Sequence, residues 1–173
     1  MTDLPLLPDG EEAARRLAAV PRDHAFSLVL SSPLSRALRT AELLGFEDVE
    51  TEPDLHEWDY GDYEGITTAQ IREGVPDWTI WNGSCPHGET GEDVAARCRR
   101  VIERALLADG DVALIAHGHL LRVLAATWLG LGPAEGRLLQ LDTGTYGTLG
   151  FEHDQRTIQC WNVPAPDARE AAR

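Results

Sequence analysis

The sequence predicts an α/β fold: one domain in three layers, a mostly parallel sheet with helices on both faces, and a C-terminal edge hairpin. Two patterns predict it. Segments with helical spacing alternate with short apolar runs, the arrangement that covers a parallel sheet on both faces. Near the C-terminus the pattern changes to two alternating runs about a polar turn, "YGTLGFEHDQRTIQCWN", which reads as an antiparallel hairpin.

Taken in order, Glu11 to Val20 reads as a helix, with acidic residues in its first turn and Pro21 just beyond its end. Phe26 to Leu30 is a short apolar run, expected as a buried strand. "SSPLSRALRTAELLG" follows, with Ser32 placed to cap a helix, Pro33 to occupy its first turn and Gly45 to end it. The same order returns later. Gly91 to Ala108 sets Val94, Cys98, Val101, Ile102, Ala105 and Leu106 at helical spacing, "DG" turns into a strand over Val112 to Ala116, and "HLLRVLAATWLG" forms a helix ending at Gly130. Residues 1–163 are expected to form the domain, and the charged, Ala-rich residues 164–173 a flexible tail.

Composition narrows the function. With 43% hydrophobic and 25% charged residues, the 173-residue chain is an ordinary globular one. No apolar run approaches the roughly 20 residues that span a bilayer, and "MTDLPLLPDG" lacks the regions of a signal peptide, so a cytoplasmic protein is expected. A formal net charge of −14 disfavours nucleic acid and anionic membranes as partners. Three cysteines without CxxC spacing, Cys85, Cys98 and Cys160, argue against a disulfide framework or a zinc ribbon. All 15 basic residues are arginine, which removes P-loop, Schiff-base and Ser-Lys chemistry.

Ligands of open α/β sheets bind beyond the carboxyl ends of the strands, where helix N-termini present free amides. Two strand-to-helix turns carry functional side chains there: Arg36 after the first strand, and His117 and His119, flanking Gly118, after "VALIA". Forked guanidinium donors, imidazoles and helix amides together make a phosphate site. Alone, such an Arg is usually a solvated surface residue and such a His a structural one; their convergence at one edge carries the reading. Between them, Glu57 sits among Trp58, Tyr60 and Tyr63. It reads either as a partly desolvated general acid or as part of an acidic loop with aromatic anchors.

"SSPLSRALRTAELL", "LHEWDYGDYEG", "PHGET" and "LIAHGHLLR", in this order and at these separations, resemble the histidine phosphatase superfamily, the phosphoglycerate-mutase-like proteins. The likeness runs from "TDLPLLPDGEEA" to "IQCWN" and is nearest the branch of sedoheptulose-1,7-bisphosphatase-like sugar phosphatases. It implies that Arg36, His117, Gly118 and His119 bind the phosphoryl group, with His117 also stabilising the transition state. It implies that Glu57 is the proton donor and that Tyr60 and Glu89 contact substrate. No cofactor or metal is implied; His117, His119 and Glu57 alone offer too few co-ligands for a metal site.

The family's nucleophile is a histidine in an Arg-His-Gly turn ending a strand that precedes the segment matching "TDLPL". No such turn occurs in the 173 residues, and none of His24, His56, His87 and His153 follows a buried strand into a helix. The first strand of the family fold is thus expected to be missing, leaving bare strand edges, with Met1 not the natural start and the chain as written inactive or severely impaired. The longer chain is expected to be a phosphomonoester hydrolase acting through a phosphohistidine on a small phosphorylated metabolite, such as a sugar (bis)phosphate. Two alternatives stand beside it: a catalytically inactive phosphate- or partner-binding protein, and a mutase. Mutases of the superfamily carry more basic residues after the acid motif, where residues 66–92 hold only Arg72. A homodimer is left open.

Overall fold

The computed structural model describes residues 2–21 and 24–165. In chain order these form α1 (Pro8–Leu17), β1 (Leu28–Ser31), α2 (Ser35–Leu43), β2 (Glu50–Thr51), 3-10 turns at Pro53–Leu55 and Gly61–Tyr63, α3 (Thr68–Gly74), α4 (Gly91–Leu106), β3 (Val112–Ile115), α5 (Gly118–Trp128), a 3-10 segment at Pro133–Leu138, and the strands β4 (Thr145–Glu152) and β5 (Gln155–Pro164). Among these residues no helix is long and apolar enough to cross a membrane.

β1 is central, flanked by β2 and β3, and both pairings are parallel. Side chains alternate across a strand, so the sheet sorts its apolar residues into two cores. Leu28, Leu30, Val112 and Leu114 face the larger core, built with Val94, Cys98, Val101 and Ile102 of α4 and with Leu120, Val123 and Leu124 of α5. Val29, Ala113 and Ile115 face the smaller one with Ala37 and Ala41 of α2. Three layers follow, as the apolar runs on both sides of each helix require.

Element boundaries depart from expectation where local chemistry intervenes. α1 begins at Pro8, whose fixed φ suits a first helical position, and stops at Leu17, three residues before Val20. Ser32 does not cap α2. Its Oγ accepts from Leu34 N, and Pro33 lies ahead of the helix, which starts at Ser35. The capping acceptor comes instead from the N-terminal segment, where Asp3 Oδ1 takes Ser35 N at 2.9 Å and Ser35 Oγ at 2.8 Å. Gly45 does end α2, in the left-handed region at φ +87.

The C-terminal hairpin forms as a two-stranded antiparallel ladder, joined at His153 and Asp154, with His153 at φ +51. It is a separate sheet from β2-β1-β3. Trp128 at the end of α5 holds it: the indole Nε1 donates to Thr157 O at 3.0 Å, Phe151 packs edge-on, and the Arg156 guanidinium lies 4.8 Å above the ring. β5 takes in Pro164, and residues 166–173 of the expected tail lie outside the described residues.

Candidate functional site

Parallel pairing of Ser31 with Ile115 brings the carboxyl ends of β1 and β3 side by side. The next residues therefore emerge together. Ser32 N donates to Ile115 O at 2.9 Å, and the Ser32 Oγ and His117 Nε2 lie 2.7 Å apart. His117 occupies the N-cap position of α5 in extended conformation, so its ring stays at the sheet edge while the helix departs. It is 8% exposed, and burial pushes its imidazole down to about 4. The Glu57 charge opposes that shift, while the charges of Arg36, His56 and Arg97 add to it.

Glu57 meets the same helix end. Its Oε1 accepts from Leu120 N and from Trp58 N, both at 2.9 Å, and its Oε2 from His119 N at 3.3 Å. An acidic group at helix N-terminal amides is favoured by the hydrogen bonds and by the helix dipole. Of the two amides expected beside a phosphoryl group, that of His119 is thus bonded to Glu57. That of Gly118 has no protein acceptor among the described residues, and added bulk at Gly118 would meet nothing within 4 Å.

His119 turns its ring to the loop. Its Nδ1 lies 2.8 Å from the Tyr60 hydroxyl, and Trp81 packs against it with centroids 5.4 Å apart. Burial lowers the His119 imidazole below its ordinary value, and burial with the Glu57 and Glu64 charges raises the Tyr60 phenol. Burial thus favours the neutral form of both site imidazoles. Arg36 stands half-buried in the first turn of α2, its guanidinium makes no hydrogen bond or ion pair among the described residues, and its charge is felt at both His117 and Tyr60. Of the expected site residues, Glu57 bonds the His119 amide and Tyr60 the His119 ring, while Glu57 and Arg36 act on His117 through their charges.

Glu89 lies behind the loop. Both its oxygens meet Arg97, at 2.8 and 2.9 Å, and Oε2 also takes Asp59 N at 2.9 Å. Arg97, 3% exposed, further donates to the carbonyls of Asp54, His56 and Glu57 at 2.8, 2.7 and 3.2 Å. It is the hub that fixes the backbone carrying Glu57, and sequence reasoning missed it. A signal was available: Arg97 falls three residues after Val94 and four before Val101, on the stripe of α4 that is otherwise apolar. The loops close through glycine, since a Cβ on Gly61 would stand 2.1 Å from Pro86 O and one on Gly88 2.4 Å from Asp59 O. Ser32 was missed too, having been read as a helix cap. Among the described residues no group of three or more His, Cys, Asp and Glu side chains is placed to hold a metal ion.

A buried imidazole, a carboxylate on helix amides and a guanidinium without a partner among the described residues thus stand at the carboxyl edge of the parallel sheet of an α/β protein, the edge where ligands of such folds bind. The family model described as histidine phosphatase superfamily (branch 1) matches residues 1–164, and the chain belongs to that superfamily. It is 41% identical over 133 residues to an acid phosphatase of Mycobacterium tuberculosis (76% of this chain, 66% of that one). To sedoheptulose 1,7-bisphosphatase of Saccharomyces cerevisiae it is 36% identical over 165 residues (76% and 61%). The matched span is less than two thirds of either relative's length. Among solved structures, that of a Mycobacterium tuberculosis open reading frame product superposes with TM-score 0.90 at 35% identity, covering 95% of this chain and 88% of that one. A mycobacterial glucosyl-3-phosphoglycerate phosphatase complexed with VO3 superposes with TM-score 0.83 at 29% identity, covering 93% and 88%.

Proposed function

We propose that these residues form the phosphate-holding part of a phosphomonoester hydrolase whose substrate is a small phosphorylated metabolite of the sugar phosphate class. The observation that carries this reading is the convergence of Glu57 and His117 on the first turn of α5, with Arg36 beside them. In this reading Arg36, His117 and the Gly118 amide hold phosphoryl oxygens. Glu57 protonates the leaving oxygen and then takes a proton from the attacking water. Tyr60 and His119 line the substrate side. Arg72 donates to Trp78 O at 2.8 Å, so the one basic residue of the segment after the acid motif serves that segment's own backbone, which favours water over a second substrate as acceptor.

The intermediate of this chemistry is a phosphohistidine, and its Arg-His-Gly turn is not among the 173 residues. The activity is therefore proposed for a chain that carries such a turn ahead of Thr2. Phosphate release from phosphate monoesters by the chain extended through its upstream reading frame, abolished by Arg36→Ala, is the expected result. An upstream frame with no Arg-His-Gly turn, together with no phosphate release, overturns it. A second reading, a phosphate binder without turnover, rests on Arg36, His117 and the Gly118 amide alone. It predicts that the 173 residues alone melt cooperatively and at higher temperature with inorganic phosphate.

A further inference from the structure

The contact between Ser32 and His117 decides where a proton sits. Ser32 is fully buried, so its hydroxyl has no access to water. Its Oγ already accepts from Leu34 N at 3.3 Å, and the neighbouring Ser31 hydroxyl is turned to the Ser32 carbonyl at 3.0 Å. The one acceptor left for the Ser32 O–H among the described residues is His117 Nε2, 2.7 Å away. A neutral imidazole has one donor and one acceptor nitrogen, and the bond made by one sets the role of the other. Were Nε2 protonated, two donors would face each other or a buried hydroxyl would be left without an acceptor.

We propose that Ser32 is a positioning residue of the site: its hydroxyl donates to His117 Nε2, fixes the ring as the Nδ1–H tautomer, and thereby makes Nδ1–H the donor offered to a phosphoryl oxygen. The last step rests on the phosphatase reading; the tautomer does not. Ser32 stands on a rigid support, since its own N–H is in the sheet ladder with Ile115 and its hydroxyl is aimed by the Leu34 amide. Four titratable or charged groups act on the ring, Glu57, Arg36, His56 and Arg97, from the loop after β2, from α2 and from α4, and burial keeps the ring neutral against the one of them that favours its charging.

Nitrogen-15 NMR of the histidine rings tests this in the full chain with no substrate added. The expected wild-type pattern at pH 7 is a protonated, pyrrole-type Nδ1 and a pyridine-type Nε2 for His117. Ser32→Thr keeps the hydroxyl and should keep the pattern, whereas Ser32→Ala should give a mixture of tautomers. A wild-type His117 protonated at Nε2 overturns the proposal, whether or not the Ala variant folds. Inorganic phosphate, added as a probe, should shift the Nδ1 resonance of the wild type and bind about tenfold more weakly to Ser32→Ala, with Ser32→Thr near wild type. An Nδ1–H tautomer that does not respond to phosphate leaves the positioning of the ring intact and counts against the phosphatase reading instead.

Discussion

Replacing Arg97 by Met tests whether this buried guanidinium holds the Glu57 segment in place. The Met stem fills most of the space but deletes five hydrogen bonds, three to backbone carbonyls and two to Glu89, and leaves the Glu89 carboxylate without its cation. Removing one partner of a buried ion pair costs roughly 3–5 kcal/mol, a large share of the 5–15 kcal/mol about which domains are stable. Urea unfolding followed by tryptophan fluorescence measures it, because Trp58 is bonded to Glu89 O and reports on the same loop. Arg97→Met should lower the unfolding free energy by that amount, seen as a lower urea midpoint with little change in slope. Arg97→Met/Glu89→Met, which removes the stranded charge, should recover at least about 1 kcal/mol of the loss. Arg97→Lys should fall between wild type and Met, since a point charge cannot span the fork. A loss below about 1 kcal/mol for Arg97→Met, with phosphate-dependent stabilisation unchanged, would refute the assignment of Arg97 as the hub.

Acid should destabilise the protein before ordinary carboxylates titrate. The folded His117 value of about 4 lies below the ordinary 6.5, so its contribution is present above pH 6.5 and is lost as pH falls toward 4. The loss from pH 8 to pH 5 is about 2 kcal/mol by linkage, and His117→Asn should flatten that limb of a stability curve. Asp54, held below the usual carboxylate range by Arg100, adds a second loss at lower pH that Asp54→Asn should remove. Gly61→Ala, at φ +53 and against Pro86 O, should cost about 2 kcal/mol or more in the same melts, whereas Gly118→Ala, with open space around it, should be nearly silent on stability.

What was legible in the sequence follows periodicity. The two-sided burial of β1 and β3 is written in their continuous apolar runs, and the amphipathic stripe of α4 in its spacing. The placement of Arg36 and His117 just beyond the strand ends was legible because each apolar run leads at once into a helix. The rest depends on pairing across distant parts of the chain. Asp3 caps a helix that begins 32 residues later, and Ser32 looks like a local cap because nothing nearby in sequence competes with Leu34 N for its hydroxyl. Its partner is 85 residues away. Glu89 looked like a pocket carboxylate because composition does not reveal that Arg97, two turns along the next helix, takes both of its oxygens.

The position of Glu57 binds chemistry to stability, and this makes the obvious variant an impure test of its role. A carboxylate can accept at both oxygens, and here Leu120 N takes one and His119 N the other. Glu57→Gln puts an NH2 group opposite one of those amides, so one helix-terminal donor loses its acceptor along with the favourable charge at the N-terminus of α5. A lost capping interaction costs roughly 0.5–2 kcal/mol, and the helix-dipole part about 0.3–1 kcal/mol. Glu57→Gln should therefore destabilise the protein by about 1 kcal/mol even if Glu57 had no part in proton transfer. A fall in phosphate release much larger than this, measured well below the melting temperature and greater for alkyl than for aryl phosphate esters, whose leaving groups need less protonation, is expected if Glu57 is the proton donor. A fall in rate that follows the fraction of folded protein, equal for both classes of ester, would make Glu57 only the cap of α5.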